Sequence, residues 1–241
     1  MKKAIDIQKE YYKSTAKNYD TIHVSTELNE HNFALAFMSS LITLYDIKSI
    51  LDVGAGTGRT IAFLQEQHPK LKIVGIEPVE ALRSIGHKKG IKSEQLIDGD
   101  GNSLPFKNQE FDLVCEFGIL HHVPKPEIVV AEMLRVSKKG IFISDCNNFG
   151  NGSLISRSIK QIINFLGLWN IYRYLITSGK MYEISEGDGL YYSYSIFNNL
   201  KQIRKVCPYI HLLNTTNSST SNLYQSASHI ALWGLKKLNA E

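Results

Sequence analysis

Residues 49–60 read SILDVGAGTGRT. An apolar run, SILDV, ends in glycines at 54, 56 and 58, and TIAFLQEQ follows with apolar residues at helical spacing. Glycine has no Cβ, so it turns sharply out of a strand and lets backbone amides approach a ligand at the N-terminus of the next helix. The stretch therefore predicts strand, tight loop and helix, the opening unit of a doubly wound sheet whose ligands bind beyond the carboxyl ends of its strands.

The pattern continues outward from this loop. LKIVGIEP (71–78), LVCEF (113–117) and GIFISD (140–145) read as further strands, with helices through EALRSIGHKK and KPEIVVAEMLRVSK between them. Such alternation predicts an α/β fold with an open, doubly wound, mostly parallel sheet. Residues 1–45 read as a helical segment, with EHNFALAFMSSLITLY apolar at helical intervals. Residues 46–146 form the ligand-binding core and 147–205 an aromatic, helical insertion over the site. Residues 206–241 hold the last strands, CPYIHLLNTT and HIALWGLKK, with NTTNSSTSN as a polar loop between them. The whole is read as one domain.

Composition narrows the function classes. Of 241 residues, 43% are hydrophobic and 21% charged, as in ordinary globular proteins, and the net charge is +4. Lysines and arginines are dispersed, so a solvated face is expected rather than a nucleic-acid footprint. MKKAIDIQKE lacks the apolar stretch of a signal peptide. IINFLGLWNIYRYLI is interrupted before the roughly 18 residues that a membrane span needs. Cys115, Cys146 and Cys207 form no CxxC pair, which points to small buried thiols in a reducing cytoplasm. A monomer or homodimer is expected.

Two carboxylates flank the glycine loop. Glu77 ends the second strand, where an acid suits the two hydroxyls of a ribose. Asp52 precedes the loop by two residues, badly placed beside a pyrophosphate but well placed beside an ammonium group. Arg59 stands where a GxGxxG dinucleotide loop needs its third glycine. A nucleoside with a cationic amino-acid tail fits these residues better than a dinucleotide. A nicotinamide-dependent oxidoreductase is thereby disfavoured but stays an alternative, as does a binder without catalysis.

ILDVGAGTG followed by VGIEP resembles the first two motifs of class I S-adenosylmethionine-dependent methyltransferases. DGDGNSLPFKNQEFDLVCEFGILHHV resembles the third and fourth, in the form found in small-molecule enzymes related to ubiquinone and menaquinone biosynthesis. YYKSTAKNYD is similar to the N-terminal segment of the same group, so the likeness covers about residues 10–145. It implies S-adenosyl-L-methionine as cofactor, with Gly54, Ala55 and Gly56 along its methionine part and Asp52 near its amino group. Glu77 would take the ribose hydroxyls and Pro78 would flank the adenine. Asp100 and Gly101 would meet the adenine amine and ring, Phe117 and Gly118 would sit beside the sulfonium, and Tyr19 would close over the top. Each has a plainer reading: Asp52 and Glu77 as caps or surface charges, Asp100 as turn chemistry, Tyr19 as core, Phe117 as a strand end.

Methyl transfer to a small-molecule acceptor follows from that resemblance, with the acceptor atom left open among oxygen, carbon, nitrogen and sulfur. CEFG in place of an Asn- or Asp-Pro-Pro motif argues against exocyclic amines of bases and amides. His121 and His122 are candidate general bases by location and ordinary pKa, though a structural role at the strand-to-helix junction is the stronger reading. No metal is expected, since Asp145 with Asn147 and Asn148 offers a single carboxylate. In the insertion, Phe165, Trp169 and Tyr172 read as its core. EGDG is a turn signal before an edge strand or loop that carries Tyr192 and Tyr194 into the pocket of an apolar or aromatic acceptor.

Overall fold

The computed structural model describes residues 4–23, 30–216 and 222–237. Residues 24–29 of the N-terminal segment and 217–221 of the expected polar loop lie outside the described residues. Strands β1 (Ser49–Val53), β2 (Lys72–Ile76), β3 (Leu96–Ile97), β4 (Phe111–Phe117) and β5 (Ser137–Cys146) are mutually parallel. β6 (Tyr182–Ser185) and β7 (Gly189–Tyr192) form a separate hairpin, while β8 (Tyr209–Asn214) and β9 (His229–Leu235) complete the main sheet. Its order is β3-β2-β1-β4-β5-β9-β8, with β9 antiparallel to both neighbours. The order reverses between β1 and β4, which opens a crevice at their carboxyl ends.

The helices are α1 (Ala4–Thr15), α2 (Tyr19–His23), α3 (Glu30–Leu44), α4 (Arg59–Gln67), α5 (Glu80–Lys88), α6 (Pro126–Val136), α7 (Leu154–Phe165), α8 (Trp169–Ile176), α9 (Phe197–Arg204) and α10 (Leu223–Ser226). Both sheet faces are covered, so the central strands read as continuous apolar runs rather than alternating ones. Alternate residues still serve opposite layers. Leu51 and Val53 of β1 join the core with Val129 and Met133 of α6 and Ile203 of α9. Ile50 joins the other, with Leu35 and Met38 of α3 and Ile61 and Leu64 of α4. With a period of two, Asp52 shares the face of Ile50, and the Cys115 thiol contacts its Oδ1 at 3.7 Å.

The insertion differs from expectation in two ways. EGDG does close a turn, but the strands on either side pair with each other, Tyr182 with Tyr192 and Ser185 with Gly189, rather than with the main sheet. The edge of that sheet is already taken by β8. Trp169 is buried against Phe149, their ring centroids 5.1 Å apart. Phe165, expected in the same core, is 89% exposed. It lies on the outward side of α7, a helix with no buried residue.

Candidate active site

The glycine loop is shaped by backbone conformation first. Gly54, Gly56 and Gly58 have φ of 75°, 55° and 84°, in the left-handed region that side chains disfavour. The space is committed too. A Cβ on Gly54 would come within 2.4 Å of Ile119 Cγ2, and one on Gly56 within 2.6 Å of the Tyr19 hydroxyl. Amides of Gly54 and Ala55 both donate to the Ile76 carbonyl at 2.9 Å, tying the loop to β2.

The two acids are buried rather than surface charges. Glu77 is 6% exposed and accepts the amides of Gly56 (3.0 Å) and Val79 (2.9 Å), one on each carboxylate oxygen. Burial nevertheless pushes its pKa up to about 7, with those amides opposing the shift. Asp52 is 2% exposed, and burial pushes it up to about 6 against the pull of Thr60 and Arg59. The Cys115 thiol adds to that compensation without overcoming the burial.

Two spaces border the loop, and a third is contiguous with the smaller of them. A cleft is walled by Glu77, Pro78, Asp100, Gly101 and the apolar Leu82 and Val129. Asp100 Oδ1 takes both the Asn102 amide (2.9 Å) and its side-chain nitrogen (2.8 Å), so the turn chemistry expected of it is present beside its place in the wall. A smaller polar space holds Asp52, Thr57, Arg59 and Thr60, and shares Tyr19, Gly54, Phe117 and Gly118 with the first. Arg59 lies over the Phe117 ring, 5.8 Å from its centroid. A third opens beyond His31, His121 and Asp188 toward Glu183, Tyr192 and His229.

The histidines sit where these spaces meet. His121 Nδ1 is 2.7 Å from Asp145 Oδ1, and its Nε2 is 3.2 Å from Asp188 Oδ2. Burial opposes a charge there, yet the two carboxylates prevail and raise its pKa to about 10. Both ring nitrogens thus carry protons toward carboxylates, leaving none to accept one. His122 Nδ1 lies 2.6 Å from the Leu190 carbonyl, and its Nε2 is 3.0 Å from the Tyr12 hydroxyl. Gln8 completes the joint: its Oε1 accepts the Leu190 amide at 2.5 Å and its Nε2 donates to the Asp188 carbonyl at 3.0 Å. His122 therefore clasps α1 to the hairpin.

Of the expected pocket tyrosines, Tyr192 borders the third space. Tyr194 borders it as well, but its side chain is buried and its hydroxyl donates to Asn199 Oδ1 at 2.9 Å, so it is chiefly core. Sequence reasoning missed His31, His229 and Asp188. Burial drives His31 well below its ordinary pKa and His229 down to about 4, so both rings are neutral, edge to face at 4.7 Å. Asp188 lay in view inside EGDG, where only its turn role was legible; His31 and His229 carry no local signal.

The mostly parallel sheet with its antiparallel β9, and the acid-flanked glycine loop at the switch point, give a Rossmann-like fold of the methyltransferase type. Residues 51–144 match the family model described as a methyltransferase domain. The chain is 28% identical over 132 residues to demethylmenaquinone methyltransferase of Staphylococcus carnosus, covering 54% of this chain and 55% of that protein. It is 33% identical over 98 residues to norajmaline N-methyltransferase of Rauvolfia serpentina, covering 39% of this chain and 33% of the relative. The chain spans about half the length of the first of these relatives and a third of the second. Its fold superposes on magnesium protoporphyrin IX methyltransferase of Synechocystis PCC 6803, solved with bound SAH, with a TM-score of 0.59 and 12% identity over 98% of this chain and 100% of that one. A possible histamine N-methyltransferase of Thermotoga maritima gives a TM-score of 0.58 and 18% identity over 95% and 99%. These two likenesses establish the fold.

Proposed function

We propose that the protein transfers the methyl group of S-adenosyl-L-methionine to a small-molecule acceptor in the cytoplasm. The observation that carries this reading is Asp52, a buried carboxylate at the mouth of a left-handed glycine loop. An ammonium group there would relieve its burial, and Arg59 in the same polar space would pair with a carboxylate. An amino-acid tail supplies both charges. Glu77 keeps a second lone pair on each oxygen for ribose hydroxyls, and the apolar cleft between Pro78 and Val129 suits an adenine edged by Asp100 and Gly101.

The cofactor, when bound, supplies a methyl group on a sulfonium that leaves with its electron pair. The residues of this chain bind, orient and exclude water. Phe117 and Gly118 border both cofactor spaces, and the Tyr19 hydroxyl closes against Gly56 from the N-terminal side. Holding an acceptor in line at near-attack distance can supply effective molarities of about 10⁵ M or more. His121, held as an imidazolium between Asp145 and Asp188, orients or screens an acceptor rather than taking its proton. His122 has a structural role.

Calorimetry on the purified protein tests the reading. Saturable binding of S-adenosylmethionine and of its demethylated product is expected, weakened in Asp52→Asn. Absence of binding for both ligands would overturn it.

A further inference from the structure

The insertion carries an amphipathic helix turned inside out. On α7, Ile155, Ile159, Ile162 and the following Leu166 fall on one stripe at 100° per residue, with Arg157, Lys160, Gln161 and Asn164 opposite. In an ordinary surface helix the apolar stripe would face the protein. Here the polar side does. Gln161 Nε2 donates to the carbonyls of Phe149 (2.9 Å) and Gln225 (3.1 Å), Asn164 Nδ2 to the Tyr224 hydroxyl (2.9 Å), and Lys160 Nζ to the Asn151 carbonyl (2.6 Å). The apolar stripe is left outside, with Ile155 74% and Ile162 59% exposed.

Helix α8 extends the face. Trp169 and Arg173 anchor it inward, the indole to the Ser193 hydroxyl at 3.2 Å and the guanidinium to Glu183 at 3.1 Å. Ile171, Tyr174 and Leu175 point away, Leu175 70% exposed. An apolar surface this continuous marks an interaction site. Its charge selects the partner: residues 146–182 contain no Asp or Glu, and of their basic residues Lys180 is exposed and Arg157 and Lys160 are half-buried, while Arg173 is buried against Glu183. A one-signed, basic setting around exposed Ile, Leu, Phe and Tyr matches the interface of an anionic bilayer, where apolar side chains enter the acyl boundary and cations meet headgroups.

We propose that the α7–α8 face docks the protein peripherally on an anionic lipid surface. No helix among the described residues is long and apolar enough to cross a membrane, and docking needs none. Arg173 of α8 also lines the third space of the site, so the docked face adjoins the acceptor cavity. The proposal does not depend on methyl transfer, because binding is measured without cofactor.

The test is co-sedimentation of the full chain with phosphatidylcholine vesicles and with the same vesicles containing phosphatidylglycerol. Binding is expected to be about tenfold stronger with the anionic lipid and to fall with added salt. The double variant Ile155→Asp, Phe165→Asp should lose about tenfold or more of it with its melting temperature unchanged, since both side chains are exposed. No binding of the wild type to either vesicle would overturn the proposal, as would a double variant that binds like the wild type. Light scattering supplies the remaining outcome: a dimer abolished by the double variant, without vesicle binding, would assign the face to a second copy of the chain instead.

Discussion

The glycine-loop side of the cleft, proposed to hold the cofactor, and the far side, proposed to hold the acceptor, are built differently. The first uses a contiguous run of backbone, Val53 to Gly58, with two acids fixed by their places at strand ends. The second gathers His31 from α3, His121 and Asp145 from the central sheet's rim, Asp188 from the hairpin and His229 from the last strand. A backbone-built site tolerates no added atoms, since its shape is its function. A site built from side chains of distant segments can lose one member and keep its form.

The largest expected effect is therefore in the loop. Gly54→Val meets both a φ of 75° and the Ile119 side chain. It should weaken cofactor binding about a hundredfold or more and cost about 2 kcal/mol or more of stability, read by calorimetry and chemical unfolding. Asp52→Asn comes next. Losing one charge-assisted contact should raise the cofactor Kd roughly tenfold to a hundredfold with the fold intact. A variant that binds normally would place the ammonium elsewhere.

On the acceptor side, Asp188→Asn should raise the acceptor KM about tenfold while the cofactor Kd changes little. A change in cofactor affinity instead would erase the distinction between the two sides. Titration sharpens the comparison further. Glu77 and Asp52 have folded pKa values of about 7 and about 6, above those of the unfolded chain. The folded state thus binds extra protons, and stability is lost as pH rises from about 4.5 through about 7. His31 and His229, with lowered pKa values, act in the opposite direction over the same range, so the acid's contribution is read as a difference: without cofactor, Glu77→Gln should lose less melting temperature than the wild type between pH 5 and pH 7.5. Cofactor affinity should run the other way, falling below pH 6 as Asp52 takes up its proton. Smallest is Tyr192→Phe, expected to raise the acceptor KM only a few-fold, as loss of one half-exposed hydrogen bond would.

Much of the geometry around the glycine loop was legible in the sequence. Strand, glycine loop and helix are local patterns, and an acid at a fixed offset from a loop stays beside it in any fold with that topology. Asp52 and Glu77 were placed beside the glycine loop this way, and the structure has them there, with Pro78, Phe117 and Gly118 along the walls of the adjoining spaces. The hairpin was half legible: EGDG named the turn, but strand partners depend on which sheet edge is free, and β8 occupies it. Helical spacing likewise places Phe165 and Trp169 on defined faces of their helices without saying which face meets the protein.

The chain by itself determined the sheet, its order of strands and helices, and the pair of acids at the glycine loop, because each rests on residues near one another in sequence. Only tertiary structure decided the protonation of His121, the clasp of Gln8 and His122 on the hairpin, and the outward turn of α7. Those depend on carboxylates, carbonyls and polar partners brought together from separate elements, 24 residues apart for His121 and Asp145 and 182 in the clasp. Charge state and facing direction are properties of surroundings, and the surroundings exist only once the chain has folded.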